Sequence, residues 1–481
     1  MRPVFALRWA LCKDCYARTR ESATEAYVKL AERAGSGGLQ MRRCRYNRSS
    51  LAVSVAAIML GGCSTHGVTL PFAQSPASTR AVKGTASPFV VLHVFRAVKK
   101  GMNPYAPVVV DSAGSLYGET YDEAKPSQSG GCGTVFKLTR SGSRYIETML
   151  HRFRNKPDGC SPAGGLTFDT NGAIYGTTFW GGVTRGWGAG TVFKLRPTAS
   201  GYSYDVIYRF KDHRDGSWPV GGVTVGKNGV LYGATQYGAA YACEKHTEGC
   251  GTVYSLTPSG SEYSEKILYV FKGRNDGVLP ISGLAMDASG SLYGTTWLGG
   301  GAGSLGVGTV YKLTSSASGY TEGVIHAFGG GRDGATPLAP VVLDSSGAVV
   351  GTTVGGGNGS GVVFKLTPSG SSYEETILYR FRGGKDGSQP QAPVTNIGGV
   401  LYGTTTDGAS DFPCSGNCGT VFTLNPVAHG YTHTVIARFG ARSGWDSETA
   451  LTVYDGVLYG TAFYQGRSGT ISGGSVFSLA L

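Results

Sequence analysis

Three sets of side chains in this 481-residue sequence have the types and spacing for chemistry. His213, two residues from Asp215, and His246, two from Glu244, read either as a general acid and base pair with those carboxylates or as solvated loop residues. Glu119 sits in Leu116-Tyr117-Gly118-Glu119-Thr120, where most copies of the same segment carry Thr. It reads either as a ligand contact or as a carboxylate hydrogen-bonded to a turn. The third set is Trp180, Trp187, Trp218 and Trp297. An indole offers a broad apolar face and one N–H, which suits stacking on the C–H face of a sugar while Asp215 or Asp276 accepts hydroxyl hydrogen bonds; the other reading, foremost for Trp180 and Trp297, is rings wedged between loops. No catalytic residue is assigned; a hydrolase or lyase would draw on Glu119, His213 or His246. No cofactor and no metal are expected, since His246 between Cys243 and Cys250 is the sole His at a ligand-like spacing to a Cys pair.

The elements that must position these groups are copies of one unit. Leu292-Tyr293-Gly294-Thr295-Thr296 recurs around Tyr117, Tyr175, Tyr232, Tyr293, Val350, Tyr402 and Tyr459, at intervals of 52 to 61 residues. Each period holds four apolar runs, as in Ser282 to Asp287, Leu292 to Thr296, Gly308 to Leu313 and Tyr320 to Phe328. All are short and none has helical period, so each unit is a four-stranded antiparallel meander with strands A to D. Seven meanders predict an all-β, seven-bladed β-propeller. The first run, Phe89 to Phe95, matches strand D, and the last, Ser475 to Leu481, matches strand C. The N-terminal strand is therefore expected to close the ring as the outer strand of blade seven. In such a ring the B–C and D–A loops share one face. The long insertions and all five Trp of the folded part, Trp445 included, fall on or beside these loops, so a ligand is expected there.

The self-alignment absorbs many other polar residues. His93, His151 and His326 take the strand D position of Tyr208, Tyr269 and Tyr379, which makes them sheet residues. Asp158, Asp215, Asp276, Asp333 and Asp386 each precede Gly in a D–A loop, usually with Pro shortly after. Such regularity points to a turn device, with Asp accepting backbone hydrogen bonds and Gly taking positive φ. Asp111, Asp169, Asp287 and Asp344 do the same in the A–B hairpins. Six Cys beyond Cys63 suit an oxidising compartment. Cys243 with Cys250, Cys414 with Cys418, and Cys132 with Cys160 each fall at one end of a single blade, so each pair is a candidate disulfide.

Composition narrows the partners. Hydrophobic residues make up 41% and Gly 78 positions, which fits short strands and tight turns and excludes a disordered chain. The net charge of +12 is uneven: residues 1–62 hold 11 Lys/Arg against 4 Asp/Glu, +7 in all, leaving +5 for the rest. No nucleic-acid partner is expected. Arg42, Arg43, Arg45 and Arg48 followed by the apolar run Leu51 to Gly61 read as an export signal. Its end, Leu60-Gly61-Gly62-Cys63, resembles a bacterial lipobox with Cys63 as the lipidated residue, and Ser64 favours the outer membrane. Residues 1–40 then read as an extension from too early a start, 41–62 as the signal peptide, 63–87 as a flexible tether and 88–481 as the propeller.

The unit Leu-Tyr-Gly-Thr-Thr, a Gly-rich loop, Gly-Thr-Val-Phe-Lys-Leu and Tyr-x-Glu-x-x-Leu-Tyr-x-Phe resembles the GloVer-type tandem repeat of bacterial exported proteins, across residues 88–481. Gly361 to Leu366, Tyr373 to Phe381 and Leu401 to Thr405 follow it closely. Blade five departs with Val349-Val350-Gly351, and blade seven lacks the Asp-Gly-x-x-Pro run. The resemblance implies export and supplies no catalytic residues. The expected function is an extracytoplasmic, lipid-anchored recognition or scaffold module that binds glycan or another cell-envelope ligand on its Trp-rich face. A polysaccharide lyase or hydrolase, and a protein-interaction platform, are the alternatives; a sialidase is disfavoured because recurrent Ser-x-Asp-x-Gly-x-x-Trp boxes are lacking.

Overall fold

The computed structural model describes residues 89–95, 101–122, 131–154, 156–182, 188–212, 214–239, 243, 249–260, 262–301, 306–408, 418–440, 444–464 and 473–481. The expectations for Cys63 and for residues 1–40, 41–62 and 63–87 lie outside this set.

The recurring five-residue segment is buried from end to end, as in Leu292–Thr296, and its Gly has a steric cause. Gly294 pairs with Tyr311 across the sheet, and a Cβ at Gly294 would stand 2.5 Å from Tyr311 Cζ. The same ring fills the space beside Gly118 (Phe136), Gly176 (Phe193), Gly351 (Phe364) and Gly403 (Phe422). An aromatic side chain thus uses the volume that Gly vacates. At the end of the same pair, Thr296 and Thr309 join hydroxyls at 2.8 Å, as do Thr120 with Thr134 and Thr405 with Thr420.

Blade four shows the resulting unit: strand A Ala285–Met286, B Leu292–Thr296, C Thr309–Ser316 and D Gly319–Ala327, paired antiparallel in that order. Seven such sheets form the ring, so the all-β, seven-bladed propeller is found. Blade two carries one strand more than expected: Cys160–Pro162 pairs with its strand B, Ile174–Trp180. The apolar core lies between blades. Tyr117, Val135 and Phe153 of blade one pack with Leu166, Ile174 and Phe193 of blade two.

Closure is as the chain ends imply. Val90–Val94 pairs antiparallel with Ser475–Ala480, completing blade seven as its outer strand. Its register slips between Val91 and His93, where the D strands of blades one to six also slip. Phe89 stacks on Phe477 at 4.8 Å and meets Phe439 edge-on at 5.7 Å.

Threonines tie blade to blade. The fourth residue of the recurring five-residue segment donates its hydroxyl to a carbonyl of the next blade: Thr295 to Ala339, Thr352 to Ala392, Thr404 to Thr449 and, across the ring junction, Thr461 to Ala106. Glu119 stands at this position in blade one.

Candidate functional site on the long-loop face

The Asp-Gly-x-x-Pro run builds this face. In the loop from blade two to blade three, Tyr208 donates its hydroxyl to Asp215 at 2.6 Å and the Lys211 N–H donates to the other oxygen at 2.7 Å. Asp215 is buried with both oxygens engaged, so its place here is that of a loop anchor. Tyr269 with Asp276 and Tyr379 with Asp386 repeat the bond. His151 with Asp158 and His326 with Asp333 substitute for it at 3.2 Å each, which accounts for those histidines as sheet residues. The Gly that follows takes positive φ, +126° at Gly216, where a Cβ would collide with Thr235.

The two x residues have defined roles. The first forms an antiparallel bridge with the second residue beyond strand B: Ser217 with Tyr237, Val278 with Leu298, Ser388 with Asp407, Trp445 with Tyr464. The second is left-handed in all seven blades: Asn103, Ser161, Trp218, Leu279, Thr336, Gln389 and Asp446 have φ between +56° and +64°. Bulky and branched residues rarely adopt this region. Each blade therefore presents one x side chain and its strand B neighbours at the inner part of the face, on a backbone fixed by the fold.

Blades two and three use these positions for an aromatic patch. Trp218 lies 4.6 Å from Trp180, stacks on Phe179 at 4.9 Å and meets Tyr237 edge-on at 4.9 Å. Phe179 and Tyr237 are buried beneath, whereas Trp180 and Trp218 keep part of their surface in solvent. Trp297 is only 8% exposed and belongs to the packing. Trp187 lies outside the described residues.

Blades six, seven and one use the equivalent positions for carboxyls. Asp446 and Glu448 share a hydrogen bond, and Tyr105 donates to Glu448 Oε2 at 2.5 Å. Gln389 donates to Asp407 at 2.6 Å. Burial first, then the charge of Asp407, pushes Asp446 up to about 7; burial and Asp446 hold Glu448 well above the carboxylate range. Burial raises Asp122 to about 6. Trp445 stacks on Tyr464 at 4.4 Å, and Phe463 meets Tyr464 edge-on at 4.6 Å.

The remaining candidates are dispersed. Glu119 is fully buried between blades one and two, where Oε2 accepts the Gly165 N–H at 3.1 Å and Oε1 has no partner; burial pushes its carboxyl up to about 8. It stands behind the wall of the face and touches no solvent. His213, Glu244 and His246 lie outside the described residues. His326, Asp333 and Glu375 bring three ligand-type atoms within 4.8 Å of one another. They occupy the outer-strand positions of Tyr269, Asp276 and Glu322 in the preceding blade interface, which makes them a variant of the same tie between blades. Cys132 is bonded to Cys160 and Cys243 to Cys250; Cys418 is also in a disulfide, while Cys414 lies outside the described residues.

The sequence profile of the Gloeobacter/Verrucomicrobia repeat matches residues 80–304 and 301–481. The chain belongs to this repeat family. No curated protein matches it. Solved structures with a similar course include the Trypanosoma rangeli sialidase in complex with sialic acid, at 12% identity and TM-score 0.38, over 82% of this chain and 59% of that one. A protein of unknown function from Dyadobacter fermentans aligns at 9% identity and TM-score 0.41, over 82% of this chain and 100% of that one. An ulvan lyase bound to -[GlcA(1-4)Rha3S]- aligns at 9% identity and TM-score 0.46, over 82% and 96%. The chain spans about three fifths of the length of the sialidase.

In this member of the Gloeobacter/Verrucomicrobia repeat family, sequence reasoning missed Asp446 and Glu448. Blade seven lacks Asp-Gly-x-x-Pro and carries Gly444-Trp445-Asp446-Ser447-Glu448 in its place. That departure was itself the available signal.

Proposed function

We propose that this propeller is a recognition module that binds a glycan or another cell-envelope ligand on its long-loop face, exported and held to the membrane by a lipid on Cys63. The observation that carries the reading is the aromatic patch. Trp180 and Trp218 come from adjacent blades, lie 4.6 Å apart and keep solvent-facing surface on a rigid base of Phe179 and Tyr237. Rings held in this way stack on a sugar with little loss of side-chain entropy. The disulfides support maturation outside the cytoplasm.

The test is a titration of the full chain with a panel of envelope polysaccharides, read by tryptophan fluorescence, alongside Trp218→Ala and Trp180→Ala. Saturable quenching that both substitutions abolish at unchanged melting temperature supports the reading. Binding that survives both substitutions places the ligand elsewhere. The anchor is read separately from the mass of the mature N-terminus, where an unmodified Cys63 removes it.

A further inference from the structure

The carboxyl group at the junction of blades six, seven and one is not demanded by the fold, and the ring supplies its own control. The position of Asp446 is held by Leu279 in blade four and Thr336 in blade five; that of Glu448 by Ile281 and Leu338; that of Asp122 and Tyr464 by Leu298 and Gly355. The backbone there is the same. Uncharged residues satisfy it, apolar throughout in blade four, so the acids are an addition made at the expense of desolvation and mutual repulsion.

A second observation points to an occupant. Tyr464 is 5% exposed and its hydroxyl has no hydrogen-bond partner among the described residues. The hydroxyl lies within reach of the charges of Asp446, Glu448 and Asp122, which with burial hold it above the ordinary phenol range. A buried hydroxyl without a partner is costly to leave unsatisfied, and a donor arriving among these groups would satisfy it. Asp122 and Asp446 keep part of their surface in solvent, so the group can be reached. Trp445, Phe463 and Tyr464 contribute aromatic rings beside the acids.

The chemistry selects the occupant. Anions are repelled by the acids. Among the described residues, these carboxyls do not bring three ligand atoms as close as His326, Asp333 and Glu375 do, at 4.8 Å or less, so their spacing is wide for a bare metal ion. Acceptors from blades seven and one beside aromatic rings fit a compact donor with three N–H bonds and an apolar stem. We propose that the inner rim between blades six, seven and one is a binding site for a primary alkylammonium group, held by Asp446, Asp122 and the Tyr464 hydroxyl, with Glu448 behind Asp446. The titratable groups around this site are Asp122, Asp407, Asp446, Glu448, Tyr105 and Tyr464. Since this group holds protons near neutral pH, an arriving ammonium expels them and its affinity rises from pH 6 to pH 8.

Two probes separate the sources of such a group: cadaverine stands for a free diamine and Nα-acetyl-lysine methylamide for a lysine side chain, with 1-pentanol as the neutral control. The full chain is titrated with each by calorimetry in low salt at pH 6, 7 and 8, and at pH 7 in two buffers of different ionisation heat. Saturable binding by either amine, none by pentanol, and proton release at pH 7 are expected. Saturation by cadaverine alone assigns the free diamine, and saturation by the lysine derivative the side chain. Asp446→Asn keeps the left-handed backbone, since Asn103 holds the same position in blade one, and lowers affinity roughly tenfold or more. Tyr464→Phe, which removes only the hydroxyl, weakens binding in the same direction. Absence of saturable binding by both amines overturns the proposal, as does binding that Asp446→Asn and Tyr464→Phe leave unchanged.

Discussion

Glu119→Gln isolates one buried carboxyl in the ring. The Glu119 side chain is 0% exposed and its pKa rises from 4.5 to about 8, through burial and against the pull of the Gly165 N–H. The folded chain therefore binds one more proton than the unfolded chain between about pH 4.5 and pH 8. Stability falls as pH rises through that window and levels off above it. Moving a carboxyl from 4.5 to about 8 corresponds to on the order of 5 kcal/mol of stability lost between pH 4 and pH 9. Gln keeps an oxygen for the Gly165 N–H, places an amide where Oε1 has no partner, and cannot ionise. Urea unfolding of the wild type and Glu119→Gln at pH 5, 7 and 9 measures the difference. Other acids titrate in both proteins and cancel. The wild type is expected to lose several kcal/mol more than the variant between pH 5 and pH 9, with the variant the more stable at pH 9. Glu119→Thr, which installs the residue of five other blades, follows the Gln variant. Parallel pH profiles for wild type and Gln would refute the burial argument.

Gly294→Ala places a methyl against the Tyr311 ring, and neither strand B nor strand C has room to yield. Such overpacking costs roughly 1–3 kcal/mol, to be seen as a lower urea midpoint, while Gly290→Ala in the A–B turn, whose Cβ would meet only Ser315 Oγ at an ordinary 3.8 Å, loses only what its +86° φ demands. Deleting residues 89–95 exposes the edge of Ser475–Ala480 and uncovers Phe477 and Phe439; aggregation or a lower melting temperature is expected, whereas deleting residues 64–85 leaves melting unchanged. Equal melting of the two deletions would show that the strand does not close the ring.

The fold was legible because strand, turn and tie are written as fixed residue types. Gly294 against Tyr311, Asp215 under Tyr208 and Thr295 toward Ala339 each recur at the ring's period, and a period is visible in one sequence. The compensation in blade five was not visible. With Val350 in place of Tyr, Asp344 loses the hydroxyl that Tyr293 gives Asp287 at 3.0 Å, and Lys365 supplies an ammonium at 2.7 Å instead. Elsewhere the equivalent lysines lie over the tyrosine ring, Lys312 at 5.0 Å from that of Tyr293. Sequence marks the loss of the hydroxyl, but only the cross-strand register shows which side chain replaces it.

The same reasoning explains why the face resisted prediction. Positions that vary between blades carry no periodic signal, and the two x residues of Asp-Gly-x-x-Pro vary most. Trp218 drew notice by its type, whereas Asp446 and Glu448 were ordinary acids in a blade that breaks the motif. Their meaning lies in contrast with their equivalents: where Leu279 and Ile281 fill the same backbone sites, an acid pair with Glu448 buried needs a cause outside the fold. In a ring of like units, the departure from the repeat that leaves a polar group unsatisfied is the place to look for a ligand. Glu119 and Tyr464 both meet that condition, and solvent access divides them. Glu119 lies wholly between two blades, where only the fold can answer it, while Tyr464 adjoins carboxyls that still reach solvent.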